Sequence, residues 1–112
     1  MQEDDSVLIA KVLKGEQPAF RTLVERYQNY VFTVTHRILP NRQEAEEAAQ
    51  DAFLKAYKML GSFEQKSKFS TWLYTIAYRS AIDLLRSKKQ HTHALDDEAS
   101  FLQIEDTGDD PE

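Results

Sequence analysis

An all-α fold is predicted for this chain by three features of its sequence. Only three glycines and three prolines occur in 112 residues, too few to turn a series of hairpins. Valine and isoleucine, which favour strands, recur here at three- and four-residue steps instead of alternating. The longest such run carries Phe20, Leu23, Val24, Tyr27, Val31, Val34 and Ile38, an apolar stripe that needs partner helices to cover it. The predicted architecture is a bundle of about four helices with a flexible acidic C-terminal tail.

The elements follow in order. Asp5 or Ser6 is placed to cap a first helix whose apolar residues are Leu8, Ile9, Val12 and Leu13, and Gly15 is its natural stop. Pro18 suits the first turn of the second helix, which Pro40 ends. Asn41 followed by Glu44 resembles a capping box opening a third helix. There Ala45, Ala48, Ala49, Ala52, Phe53, Ala56, Tyr57 and Leu60 form one face, small enough for a neighbour to approach closely, with Gly61 as a left-handed cap. After a loop, Ser70 is placed to cap a fourth helix with Phe69 as a hydrophobic staple. Trp72, Leu73, Ile76, Ala77, Ala81, Leu84 and Leu85 point to the core, while Tyr74, Tyr78, Arg79, Ile82 and Arg86 lie partly or wholly outside it. Periodicity fades beyond Lys89. Residues 91–112 read as an acidic linker or tail, with room for a short helical turn around Phe101, Leu102 and Ile104.

Composition narrows the function. The length suits one domain with a modest core. Without cysteine there is no disulfide framework, thiol nucleophile or Cys-based zinc site. No apolar run is long enough to span a bilayer, and the acidic N-terminus lacks the basic start of a secretory signal. A cytoplasmic protein without membrane insertion is expected. His91 and His93 lack a third ligand, the glycines are isolated, and Glu46 and Glu47 point apart on their helix. No enzyme, metal or cofactor reading has a residue set to rest on.

The net charge of −5 conceals a segregation. Residues 1–60 carry eight Lys and Arg against nine Asp and Glu, residues 61–90 six against two, and residues 91–112 none against eight. The basic stretch also holds Phe63, Phe69, Trp72, Tyr74 and Tyr78. Rings interleaved with cations suit unstacked bases and their phosphates, although aromatics at helical spacing also serve as core.

Two surfaces stand out. On the third helix Glu47, Gln50, Asp51, Leu54 and Lys58 make an acidic stripe around an exposed leucine. It reads either as an anchor for a partner helix or as a solvated face steadied by an Asp51–Lys55 pair. The second is the loop 62–69 with the outer side of the fourth helix. Phe63, Lys66, Ser67, Lys68 and Phe69 can form a small pocket for a flipped-out base, and Arg79 and Arg86 point one way toward a passing backbone. Its alternative is a solubilising basic face over buried rings.

The stretch AEEAAQDAFLKAYKMLGSFEQKSKFSTWLYTIAYRSAIDLLR resembles region 2 of the extracytoplasmic-function (ECF) bacterial sigma factors, most specifically in QDAFLKAY and FSTWLYTIA, and the likeness covers about residues 5–90. This resemblance implies a four-helix domain, residues 1–90, that binds core RNA polymerase and helps open promoter DNA at the −10 element. Carried over by position, Glu47, Gln50, Asp51 and Leu54 match the surface that docks on the polymerase β′ clamp coiled coil. Phe63 to Phe69 match the loop that captures an unstacked base of the single-stranded non-template strand. Trp72, Tyr74, Tyr78 and Arg79 match the helix that melts the duplex or follows the displaced strand, and Lys88 and Lys89 add phosphate attraction.

Departures are also visible. Glu64 and Gln65 stand where the family often has Arg-Gly, and Ala48 and Ala49 replace bulkier Leu and Val. The resemblance also implies a second, −35-reading domain, so the chain is expected to be a fragment with 91–112 as interdomain linker. The alternative function is a regulatory module acting through protein contacts such as an anti-sigma factor. A duplex-reading helix-turn-helix fits less well, because the fourth helix is too apolar and aromatic for a groove.

Overall fold

The computed structural model describes residues 3–92, with side chains through residue 89. Four helices run in order: α1 (Asp5–Leu13), α2 (Gln17–Ile38), α3 (Arg42–Met59) and α4 (Phe69–Thr92), with a 3-10 turn at Leu60–Ser62 after α3. No strand occurs among the described residues. Helices α2, α3 and α4 pack pairwise on one another, and α1 lies against α2 and the 3-10 turn. Among the described residues, no helix is long and apolar enough to cross a membrane.

The local signals explain most boundaries. Gly15 takes φ +100°, and the amides of Gly15 and Glu16 reach back to the carbonyls of Val12 and Lys11, the paired bonds of a left-handed stop. Pro18 sits in the first turn of α2, where no intrahelical donor is needed. Leu39 is extended ahead of Pro40, as ring clash with the preceding residue requires. Asn41 Oδ1 accepts the Glu44 amide at 3.0 Å, so the predicted cap of α3 is present.

Four expectations are corrected. The cap position of α1 is Asp4; Asp5 lies inside the helix because its carboxylate is engaged by α2, and Leu13 is 56% exposed because α1 rolls Leu8 and Ile9 inward. Gly61 adopts no left-handed conformation. The chain tightens into a 3-10 turn that buries Leu60, and Ser62 Oγ donates to the Met59 carbonyl at 2.7 Å. Ser70 does not cap α4, since the Lys68 carbonyl already accepts the amides of Thr71 and Trp72 and the helix starts at Phe69. Tyr57, expected on the inward face, is 38% exposed; it closes the open edge between α2 and α3, with Phe20 edge-on at 5.0 Å and Gln17 Nε2 donating to its hydroxyl. Helix α4 also continues past Lys89 to Thr92. The predicted turn near Phe101, His93 and the rest of 93–112 lie outside the described residues.

The core has two parts. The larger joins Leu8, Ile9, Leu23, Val31, Leu60, Phe69, Leu73 and Ile76, and a smaller one joins Leu39, Ala45, Ala48 and Ala81. The alanine face of α3 is wholly buried from Ala45 to Ala56, which lets α2 and α4 close on it. Thr35, fully buried, donates to the Ala45 carbonyl at 2.8 Å, tying the end of α2 to the start of α3.

Candidate functional site

The loop between the 3-10 turn and α4 is held from beneath by rings. Phe63 is half-buried and packs on Trp72 (centroids 4.9 Å) and Phe69 (5.9 Å), while Tyr27 of α2 meets Phe69 at 5.5 Å. Phe69 is only 5% exposed. Packed by three other rings, it forms a floor that still borders the cavity above it. Trp72 is half-buried in the same cluster.

Above this floor opens a cavity of about 340 Å³ lined by Phe63, Gln65, Ser67, Lys68, Phe69 and Ser70 from the loop side, and by Asp4, Asp5, Ser6, Ile9 and Tyr27 from α1 and α2. Of the five residues expected to form this pocket, Phe63, Ser67, Lys68 and Phe69 line it. Lys66 instead points out, paired with Glu64 at 3.2 Å. Asp4, Asp5 and Tyr27 were not foreseen, and Gln65 only within the Phe63-to-Phe69 stretch that the resemblance assigns to the loop. The first three come from elements distant in sequence, and no local pattern brings them to the loop; Gln65 sits in the loop, but only its backbone, at φ 60°, turns it there.

Electrostatics sharpen this corner. Asp5 accepts from Arg26 Nη1 at 2.7 Å and from the Tyr27 hydroxyl. Burial, then the bond to Asp5, pushes the Tyr27 phenol up to about 12. The hydroxyl therefore stays protonated and tied to the carboxylate at neutral pH. With carboxylates, an amide, hydroxyls and one ammonium around an aromatic wall, the cavity offers both donors and acceptors to a planar polar group.

The outer side of α4 continues from the cavity. Tyr74 (37% exposed) and Tyr78 stack at 6.1 Å, and Tyr30 of α2 donates to the Ser70 carbonyl at 3.2 Å. Arg79 and Arg86 are exposed. Lys88 lies 3.6 Å from Glu44, so part of its charge is already met, and Lys89 is half-buried.

The stripe on α3 is divided by its own helix. Leu54, 54% exposed, and Gln50 border an apolar groove of about 840 Å³ shared with Phe20, Arg21 and Val24 of α2. Glu47 and Asp51 border a second cleft of about 370 Å³ toward Ser80 and Asp83 of α4. Asp51 pairs with Lys55 at 3.0 Å, which also approaches Asp83 at 3.8 Å. Lys58 is exposed at the far end. None of these residues lines the loop cavity. Among the described residues, no group of three or more His, Asp or Glu is disposed to hold a metal ion.

A family model, Sigma-70 region 2, matches residues 23–91. The chain belongs to the sigma-70 region 2 family. This bears out the resemblance seen in QDAFLKAY and FSTWLYTIA, and the relatives place the domain among the ECF sigma factors. It is 46% identical over 81 residues to the ECF RNA polymerase sigma factor SigW of Bacillus subtilis, covering 72% of this chain and 43% of that protein. It is 40% identical over 98 residues to the ECF RNA polymerase sigma-E factor of Escherichia coli, covering 88% of this chain and 51% of that protein. The region 2 domain thus spans about half the length of the curated relatives it matches. A solved structure, an engineered region 2 of sigmaE in complex with GTAAAA, superposes with a TM-score of 0.75 at 42% identity, covering 81% of this chain and 97% of that one.

Proposed function

We propose that this sigma-70 region 2 domain serves transcription initiation in the cytoplasm by binding alone, with α3 gripping core RNA polymerase and the loop with α4 holding opened promoter DNA. On α3, Leu54 and Gln50 would seat an apolar ridge of the β′ clamp coiled coil, while Glu47, Asp51 and Lys58 would set its orientation by charge. At the −10 element, a base flipped from the non-template strand would enter the cavity beside Phe63. Its polar edge would meet Gln65, Ser67 and the Asp4–Asp5 corner. Tyr74 and Tyr78 would stack neighbouring bases, and Arg79, Arg86, Lys88 and Lys89 would meet phosphates.

The observation that carries this reading is the aromatic-floored cavity, in a fold whose 42%-identical neighbour was solved with GTAAAA. The supporting relation is that the cavity and the α2–α3 groove share no lining residue, so both can be filled at once. An anti-sigma factor covering the α2–α3 groove would compete with polymerase for it.

The test is binding of single-stranded GTAAAA against a scrambled strand, with and without core polymerase, followed by transcription from a pre-opened template. Preference for GTAAAA that weakens about tenfold or more in Phe63→Ala and Arg79→Ala is expected. Loss of equal size on any duplex would reduce the surface to general electrostatics. Failure to associate with polymerase, together with tight capture of an anti-sigma factor, would favour the regulatory-module reading.

A further inference from the structure

We propose that Tyr30 of α2 is a further stacking residue of the strand-binding surface, taking the base between the one held in the loop cavity and those on Tyr74 and Tyr78. This role deepens the nucleic-acid reading above and rests on it. Tyr30 is 39% exposed although its hydroxyl is engaged, donating to the Ser70 carbonyl at the start of α4. That bond pins the ring across the α2–α4 contact and leaves part of it in solvent. Little side-chain freedom then remains to be lost when a base stacks on it.

Its position between two parts of the surface carries the inference. On one side Tyr27 meets Tyr30 edge-on, with centroids 6.0 Å apart, and Tyr27 and Ser70 both line the cavity. On the other side Tyr74 lies close enough to act on the Tyr30 phenol, which burial first and Tyr74 second hold above its ordinary value. Tyr74 in turn stacks on Tyr78. Tyr30 therefore joins the cavity wall to the tyrosine pair of α4, and a strand with one base in the cavity meets it before reaching Tyr74. An aromatic ring takes any base by its face, and charge admits a polyanion here. Residues 26–34 and 70–82 contain no Asp or Glu. Arg79 beside Tyr78, and Arg37 two turns beyond Tyr30 on the same face of α2, are exposed and form no ion pair among the described residues. Both can meet phosphates of the passing strand.

Binding of the GTAAAA strand used in the test above, with each base in turn replaced by an abasic site, separates stacking from support of the fold. The full 112-residue chain is used, with and without core polymerase. In Phe63→Ala the abasic penalty should vanish at one position, that of the captured base. In Tyr30→Ala, affinity for the intact strand should fall about tenfold, and the penalty should vanish at the position next to that one. Tyr30→Phe, which loses the bond to Ser70 but keeps the ring, should bind within about twofold of the parent. Tyr30→Leu, which keeps bulk without an aromatic face, should resemble Tyr30→Ala. A loss in Tyr30→Phe equal to that in Tyr30→Ala, or abasic penalties unchanged in Tyr30→Ala, overturns the stacking role and leaves Tyr30 a tie between helices. Strand binding that Phe63→Ala weakens and Tyr30→Ala does not overturns it as well, with the cavity reading intact. A parent chain that binds no single strand under either condition overturns the nucleic-acid reading, and the role of Tyr30 with it.

Discussion

Asp5, in the first turn of α1, sets its carboxylate 2.7 Å from Arg26 Nη1 of α2. The same carboxylate takes the Tyr27 hydroxyl, so one acid near the start of the chain clamps α1 across α2 and frames the loop cavity. Asp5→Asn should lower stability by about 1–2 kcal/mol, because a charge-assisted bond is lost at a half-buried site. It should also bring the Tyr27 pKa part of the way back from about 12, since burial remains. The sign follows from linkage: the folded chain holds this proton more tightly than the unfolded one, whose value is 10.0. The contribution is full below pH 10 and is lost as pH rises toward 12. Thermal melts across that window, with ultraviolet titration of the phenol, measure both. An Asp5→Asn protein with unchanged melting and titration would sink the clamp.

The buried alanines of α3 make a second prediction. Ala52 and Ala56 are fully enclosed between neighbouring helices, and there is no room for a larger side chain without displacing a helix. Ala52→Leu should cost about 1–3 kcal/mol by overpacking, visible as a lower denaturant midpoint at unchanged slope. A neutral result would mean that the interface breathes more than its packing implies.

Sequence periodicity was sufficient for the bundle because helix faces and caps are local. Asn41 with Glu44, Gly15 and the prolines act within a few residues, and the structure places each element near its predicted bounds. It was insufficient where partners come from afar. Asp5 read as a cap because nothing nearby announces Arg26 and Tyr27, more than twenty residues on. Phe69 read as a staple and a pocket wall, but its neighbours Lys68 and Ser70 do not reveal that Tyr27, Phe63 and Trp72 pack around it. Leu39 was overlooked for a related reason: it stands outside both flanking helices, yet it is fully buried against α3 and α4. The outer face of α3 was legible as a stripe, but its division between two clefts depends on how α2 and α4 flank it.

Gln65 carries the one positive φ of a non-glycine residue among those described, at 60°. Side chains other than glycine pay about 1 kcal/mol for that conformation, and here it turns Gln65 toward the cavity. Gln65→Gly should relieve the strain and stabilise the fold by about 0.5 kcal/mol after glycine's greater chain entropy is counted. Gln65→Val should destabilise by more than about 1 kcal/mol, because a β-branched side chain fits this region poorly. Calorimetric melts of the pair decide it, and a Gly variant that melts lower than the parent would reject strain at this position.

Leu54 supplies the last prediction. It is the large exposed aliphatic at the lip of the α2–α3 groove, and no core residue depends on it. Leu54→Ala should therefore leave the unfolding free energy within about 0.5 kcal/mol of the parent, while weakening association with core polymerase by about tenfold, the scale of an apolar anchor at an interface. Asp51→Lys should weaken association too, and through the on-rate, because it reverses a rim charge. It also breaks the pair with Lys55, a surface interaction of a few tenths of a kcal/mol, so stability should barely move. Biosensor kinetics on the two variants separate the effects: dissociation should quicken for Leu54→Ala and association should slow for Asp51→Lys. If both variants bind as the parent does, polymerase docks elsewhere on the bundle and the exposed leucine is only a solvated residue.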